Sequence, residues 1–336
     1  MMRREVGRTM DLTLEYQKAY YKMKEVLDEV KKLVHGKDDC VEKALSAIMA
    51  RGHILLEDVP GVGKTTLAVA FSKVMDLNNH RVQFTPDVQP SDLLGFSIYN
   101  KETGSFNYKP GPVLCNLFLA DEINRTSPKT QSALLEVMEE RMVTVDGCSH
   151  KVPDPFIVIA TQNPKGSAGT QLLPEAQLDR FMISMSMGYP DLENEIAIAK
   201  GKSTSINEVQ VNCVLRSSEL LYLQELVDRI HVHDNIYKYI AKLVRATREN
   251  QYIELGISPR GTIACTKMAK ARAFTMGRNY VIPEDVVHVY KDVARHRIML
   301  NTKARVSHVK EDAVLEQILQ EIGQPTSYMK RADYRG

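Results

Sequence analysis

Residues 55–68 read LLEDVPGVGKTTLA, a set of residue types suited to holding an anion of phosphate size. Gly61 and Gly63 permit the tight turns that aim successive backbone N–H groups inward. A helix starting at Lys64 would present its positive N-terminal end to the same point. Lys64 adds a compact cation for β- and γ-phosphates, and the Thr65 hydroxyl can ligate Mg²⁺. Pro60, Gly61, Val62, Gly63, Lys64, Thr65 and Thr66 are therefore the candidate phosphate-loop residues. The strict pattern G-x-x-x-x-G-K-[ST] would place its first glycine where Asp58 stands. Asp58 falls at the junction of strand and loop, outside the inner cradle, and the loop is expected to tolerate it.

A second acidic element follows in LFLADE, an apolar run ending in Asp121 and Glu122. Acids at the C-terminal edge of a parallel sheet lie beside such a loop, where ligands bind in open α/β folds. Asp121 would hold Mg²⁺, directly or through water, and Glu122 could polarise an attacking water as general base. Asn163, at the tip of ATQNP, could orient that water or read a γ-phosphate, although Asn before Pro is also an ordinary turn residue. Arg180 in LPEAQLDRF and Arg260 in GISPRGT are of the type that stabilises charge on a transferring phosphoryl group. Either arginine in isolation reads as a surface salt bridge.

These groups need a strand before the loop and a helix after it, and the pattern supplies both. HILLE is a short apolar run closed by turn residues, as in a buried parallel strand, and TTLAVAFSKVM has helical spacing. Further strands are expected at RVQFT, LFLAD, FIVIATQ and FMISMSM. Between them lies helical sequence, most clearly SPKTQSALLEVMEER, with Ser127 as N-cap and Pro128 at the first helical position. Alternation of strands and helices implies a five-stranded parallel sheet wrapped by helices. Ahead of it, helices are expected from about residue 12 to 34 and from 40 to 49. Beyond Tyr189-Pro190 the strand signals stop, and residues to about 322 are nearly all helical in pattern. The expected division is a helical extension (1–33), an α/β core (34–189), an all-helical second domain (190–322) and a mobile tail (323–336).

A chain of 336 residues, 43% hydrophobic and 26% charged, has ordinary globular composition and room for one large or two modest domains. A formal net charge of +2 provides no overall field that would call for nucleic acid or an anionic membrane. Basic residues near the N-terminus precede no apolar segment of the secretory kind, and no apolar run reaches the roughly 18 residues of a spanning helix. The scattered Cys40, Cys115, Cys148, Cys213 and Cys265 form no C-x-x-C, so neither a zinc knuckle nor a disulfide framework is indicated. A reducing cytoplasm is the simple expectation.

Taken in order, these stretches resemble the AAA+ ATPases, and specifically the MoxR family, over about residues 34–300. LLEDVPGVGKTTLA resembles that family's Walker A, Asp58 included, and NLFLADEINRTSPKTQSALLEVMEERMVTVDG resembles its Walker B region. IATQNP resembles sensor 1, LPEAQLDRF the arginine-finger segment and GISPRGT sensor 2. The resemblance implies a P-loop NTPase core with an all-helical lid, binding ATP with Mg²⁺ and hydrolysing it. It gives Lys64 and Thr65 to phosphates and Mg²⁺, Asp121 to Mg²⁺, and Glu122 to activation of water. Asn163 becomes sensor 1, Arg260 sensor 2, and Arg180 a finger reaching into a neighbouring subunit of a homo-oligomeric ring, a hexamer. Val34, His35 and Gly36 occupy the adenine-contacting turn, with Lys37 departing from the commoner Gln. The family's insert in the second helix corresponds to residues 91–113, and a further hairpin is expected at MVTVDGCSH with Asp146-Gly147 as its turn. A chaperone-like role is implied, remodelling partner proteins or assisting metal-cofactor insertion, with von Willebrand factor A-type domains as typical partners.

Other features have plainer readings. His231 and His233 alternate in HVH, but no further metal ligands cluster near them in sequence. The basic run KDVARHRIMLNTKARVSHVK is expected to be a solvated helix face rather than a nucleic-acid site, and the methionines of MISMSM are expected to pack. Phe96, Tyr99, Phe106 and Tyr108 concentrate aromatic surface on an otherwise polar insert, either as a contact surface or packed onto the domain. The rivals to a remodelling ATPase are a nucleic-acid-associated motor, which would need a basic pore, and a nucleotide-gated scaffold with little turnover.

Overall fold

The computed structural model describes residues 2–58, 61–163, 173–189, 192–200 and 209–325. Pro60, the boundary at Pro190 and most of the expected mobile tail lie outside them. The chain divides into two compact units. One comprises Glu25–Phe181 and Met185–Leu221; the other comprises Met1–Lys24, Met182–Ser184 and Tyr222–Gly336.

In chain order the first elements are α1 (Met2–Lys31), α2 (Asp38–Met49), β1 (Ile54–Glu57), α3 (Lys64–Val74) and β2 (Asn79–Gln83). Then come α4 (Pro90–Leu94), β3 (Gly95–Asn100), β4 (Ser105–Pro110), β5 (Leu117–Asp121) and α5 (Pro128–Glu140). β6 (Met142–Val145), β7 (Cys148–Lys151), β8 (Ile157–Gln162), α6 (Glu175–Leu178) and β9 (Ile183–Met185) complete the α/β series. The expected five-stranded parallel sheet is present in the order β2-β5-β8-β1-β9. Every residue of β5 and β8 is buried, which is why both are unbroken apolar runs rather than alternating ones. β2 forms one edge and is mostly exposed.

Register decides what gathers at the C-terminal edge. Gln83 pairs with Asp121, Ala120 with Ala160, Leu56 with Thr161 and Glu57 with Gln162. Four strands thus end level, at the place where open α/β sheets bind ligands. One apolar face is backed by a core that includes Leu55, Phe84, Phe118, Leu134, Phe156 and Phe181. α5 begins as expected: Pro128 sits in its first turn, and the Ser127 hydroxyl accepts the Thr130 N–H at 3.3 Å. His53, fully buried, ties α5 to the sheet. Its Nδ1 accepts the Val158 N–H at 2.9 Å, so Nε2 carries the proton and donates to the Met138 carbonyl at 3.2 Å.

Two hairpins leave the core. β6 and β7 are joined by Asp146 and Gly147, both at positive φ, the signature of the expected Asp-Gly turn. β3 and β4 form the insert hairpin. Its base is closed by Gly95, at φ +91, where an added Cβ would lie 2.2 Å from the Lys109 carbonyl oxygen. Phe96, Ile98, Tyr99 and Phe106 are exposed, with Phe106 72% accessible. The Tyr99 and Phe106 rings lie 5.2 Å apart. Tyr108 departs from them: half-buried, it stacks on His150 at 4.0 Å and its hydroxyl donates to the Leu94 carbonyl.

The remaining elements are α7 (Leu192–Ala199), α8 (Ser217–Asp228), α9 (Asp234–Glu249), β10 (Ile253–Leu255), α10 (Pro259–Thr275) and α11 (Pro283–Ala294). β11 (Met299–Leu300), α12 (Thr302–Val306) and α13 (Glu311–Glu321) end the described chain. α9 buries Ile236, Tyr239, Ile240, Leu243, Val244 and Thr247, the three- and four-residue spacing of one helix face. Tyr16 of α1 belongs to this unit: its ring meets Phe274 edge-on at 6.1 Å and its hydroxyl donates to the Leu226 carbonyl. His233 caps α9, its Nδ1 accepting the Asn235 N–H at 3.1 Å. The expectation of an all-helical second domain needs correction, because β10 and β11 pair antiparallel. Strands of three and two residues are too short to show a period of two. The basic run is also less uniform than expected: Arg297 is buried, while Lys291 and Arg295 pair with Glu316 and Asp312 of α13.

Candidate active site

The phosphate loop follows β1, at the C-terminal edge of the sheet described above. Gly61 has φ +88 and Gly63, the N-cap of α3, has φ +95, a left-handed backbone that favours glycine. Val62 between them is buried, and Thr65 and Thr66 lie half-buried in the first turn of α3. Lys64 is buried, and its Nζ donates to the backbone carbonyl of Asp58 at 3.0 Å. Burial pulls its pKa below the ordinary value, against the opposing field of Asp121, Asp58 and Glu122.

Asp58 does more than the loop tolerates. Its carboxylate, 6% exposed, turns away from the loop and accepts the Ser186 hydroxyl and the Met187 N–H, both at 2.6 Å, and the Gly188 N–H at 3.2 Å. Lys37 donates to the carbonyls of Gly188 and Tyr189, and the Cys40 thiol to that of Ser186. The chain after β9 is thus fastened to both the phosphate loop and the start of α2. Just ahead of Lys37, Val34 is buried and Gly36 turns at φ +67, with His35 between them in the turn joining α1 to α2.

At the end of β5, Asp121 Oδ1 accepts the buried Thr161 hydroxyl at 2.6 Å, and Oδ2 accepts Arg81 Nη2 at 2.7 Å. Glu122 has left-handed φ +56, and its N–H donates to Thr161 Oγ1 at 2.8 Å. Its Oε2 accepts Gln83 Nε2 and Arg125 Nη1, each at 2.8 Å. Asn163 follows β8 directly, its carbonyl accepting Asn124 Nδ2 at 3.3 Å. Asn124 is 1% exposed and its Oδ1 has no hydrogen-bond partner. Arg81, Gln83, Thr161 and Arg125 were not singled out from the sequence. The first two face the acids only because of the β2–β5 register, which no local pattern reports.

The two arginines stand differently. Arg180 Nη1 donates to the Leu135 carbonyl at 2.6 Å and pairs with Glu139 at 2.9 Å, while Nε makes no hydrogen bond. Arg260 is exposed in the first turn of α10, behind the Ser258 cap, and belongs to the helical unit. The oxygen donors at hand, the Thr65 hydroxyl and the Asp121 carboxylate, are hard ligands of the kind Mg²⁺ takes. Among the described residues, no helix is long and apolar enough to cross a membrane.

Comparison with known proteins is consistent across the chain. Residues 53–183 match the ATPase family associated with various cellular activities (AAA), and residues 245–318 match the AAA lid domain. An uncharacterised protein of Bacillus subtilis, YeaC, is 44% identical over 299 residues, covering 89% of this chain and 93% of that one. The chaperone MoxR1 of Mycobacterium tuberculosis is 40% identical over 306 residues, covering 88% and 81%. The crystal structure of a Cytophaga hutchinsonii protein described as an ATPase superposes with a TM-score of 0.86 at 40% identity, covering 96% and 99%. With a Walker-type loop after β1, an acid pair at the end of β5 and matches that span both units, the chain belongs to the MoxR family of AAA+ ATPases.

Proposed function

We propose that the protein hydrolyses ATP at the C-terminal edge of its five-stranded sheet and uses the cycle to remodel partner proteins. The observation that carries this reading is the Gly61–Gly63 turn ahead of the buried Lys64, on the same C-terminal sheet edge where β5 ends in Asp121 and Glu122 follows. In the proposed cycle Lys64 leaves the Asp58 carbonyl to meet the β- and γ-phosphates, joined by the N–H groups of the Gly61–Gly63 turn. Thr65 and Asp121 would hold Mg²⁺, which neutralises charge on the phosphate oxygens when bound. Glu122 takes the proton from the attacking water, and Asn163 orients that water. Val34, His35 and Gly36 receive the adenine. Arg180, from a neighbouring subunit of a homo-oligomeric ring, and Arg260 stabilise charge on the transferring group. The name chaperone carried by the M. tuberculosis relative supports a remodelling role here, with von Willebrand factor A-type proteins as candidate partners.

One observation favours a second reading, a nucleotide-gated scaffold with little turnover. Glu122 is held on one oxygen by both Gln83 and Arg125, so both donors compete with water for that oxygen. Calorimetry and phosphate release on the same preparations decide between the two. Lys64→Ala should abolish tight ATP binding. Glu122→Gln should bind ATP like the parent and hydrolyse it about 10²–10⁴-fold more slowly. A parent that binds ATP and turns over no faster than Glu122→Gln would establish the scaffold instead.

A further inference from the structure

The edge strand β2 touches both members of the acid pair. Side chains two apart on a strand share a face, and Arg81 and Gln83 use that spacing. Gln83 takes Glu122, and Arg81 takes Asp121. The two oxygens of Asp121 are committed unequally. Oδ1 serves Thr161, which is wholly buried, so this bond belongs to the packed interior. Oδ2 serves Arg81, whose side chain is 51% exposed on an edge strand. As a stabilising contact, a pair with one exposed partner is worth little. Its consequence lies at the oxygen it covers.

We infer that Arg81 is the residue that sets how tightly this site takes a divalent cation: its guanidinium neutralises Asp121 until the cation displaces it. The inference rests on the ATPase reading and assigns a role within it. A guanidinium and a divalent ion cannot share the outer lobe of Oδ2. If the cation reaches Asp121 through a water, the arginine still lies within one hydration layer of it, and like charges that close repel. The site therefore takes the cation only to the extent that the Arg81–Asp121 pair opens, which lowers the apparent affinity by the fraction open. Exposure of Arg81 keeps the cost small, about two- to five-fold in affinity on the scale of exposed ion pairs. The device favours loading by a strongly charged divalent ion over a monovalent one, because only the former recovers the lost pairing in a single contact. It also keeps Asp121 from standing uncompensated while the site is empty.

The test compares the full-length parent with Arg81→Met and Arg81→Lys. ATP affinity is measured by calorimetry in EDTA and across a Mg²⁺ titration, and Mn²⁺ affinity of the ATP complex by the loss of free-ion paramagnetic resonance signal. Arg81→Met should lower the half-saturating Mg²⁺ and Mn²⁺ concentrations about two- to five-fold and leave ATP affinity in EDTA unchanged. Arg81→Lys, which keeps the charge but loses the fork, should fall between the two. Added salt should narrow the difference. The inference is overturned if Arg81→Met binds ATP yet needs as much Mg²⁺ as the parent or more, or if ATP affinity shifts equally with and without the cation. Absence of ATP binding by the parent under every condition would overturn the ATPase reading itself, and this inference with it.

Discussion

The Asp58 carboxylate accepts the Met187 backbone N–H at 2.6 Å, across 129 residues of sequence. That bond explains why the first glycine of the strict phosphate-loop pattern can be an acid here. The backbone of Asp58 serves the loop, through its carbonyl and Lys64, while its side chain serves the chain after β9. Replacing it with glycine would complete the strict motif and remove three hydrogen bonds. It would leave the buried Met187 N–H unpaired, a cost of about 1–3 kcal/mol, and add backbone freedom to the unfolded chain.

Asp58→Gly should therefore be less stable by about 2–4 kcal/mol, despite matching the motif better. Urea unfolding of parent and variant measures this directly. A variant as stable as the parent would show that the three hydrogen bonds carry no net weight.

Part of the fold is legible in short windows of sequence. Ser127 and Pro128 marked a helix start, Asp146-Gly147 a hairpin turn, and LFLAD a strand with acids at its end, because each signal occupies a few adjacent residues. The rest is set by pairing between distant segments. Arg81 and Gln83 face Asp121 and Glu122 through strand register, and Asp58 finds Ser186 and Met187 across the loop. β10 and β11 meet over a separation that no short window spans, Ile253 opposite Leu300. The Tyr108 ring could not be told from its exposed neighbours because its partner, His150, lies on the other hairpin.

His53 makes stability depend on pH. Burial holds its imidazole neutral and pulls its pKa from 6.5 down to about 3. In the unfolded chain the same group protonates near 6.5. Between those values the unfolded state binds the extra proton, so this contribution is fully present above about pH 6.5 and is lost as pH falls toward 3. The slope is about 1.4 kcal/mol per pH unit. The stability advantage of the parent over His53→Gln should thus shrink by about 2 kcal/mol between pH 7 and pH 5. Equal advantages at both pH values, from denaturant titrations, would remove His53 as the titrating group.

The insert hairpin exposes Phe96, Tyr99 and Phe106, and the ring contact between Tyr99 and Phe106 lies within the hairpin itself. We expect Phe96→Ser combined with Tyr99→Ser to change stability by less than about 1 kcal/mol and to leave basal ATP hydrolysis intact, while weakening capture of a partner protein. Loss of several degrees in melting temperature together with loss of hydrolysis would instead assign these rings to packing.

Arg180 offers the sharpest separation between a local and an intersubunit role. In the isolated chain it is bound to α5, through the Leu135 carbonyl and Glu139, not through Asp179 or Glu175, its acidic neighbours in sequence. A finger must leave Glu139 when a neighbouring subunit brings a γ-phosphate within reach. The pair is partly exposed, 29% and 35% at its two side chains, so parting it costs about 1 kcal/mol or less. A phosphoryl group in its transition state repays far more, since arginine fingers contribute about 10³–10⁵ in rate. Arg180→Ala should then bind ATP like the parent and hydrolyse it poorly, whereas Glu139→Ala, which breaks the same local pair from the other side, should keep its activity. Lys64→Ala retains its own Arg180 but holds no nucleotide. Mixing it with Arg180→Ala should restore some hydrolysis, at sites where a Lys64-intact subunit meets an Arg180-intact neighbour. Specific activity of the parent should also rise with concentration as subunits assemble. If Glu139→Ala loses activity as fully as Arg180→Ala, and confirmed mixed assemblies hydrolyse no faster than the separate variants, Arg180 acts only as a strut between α6 and α5.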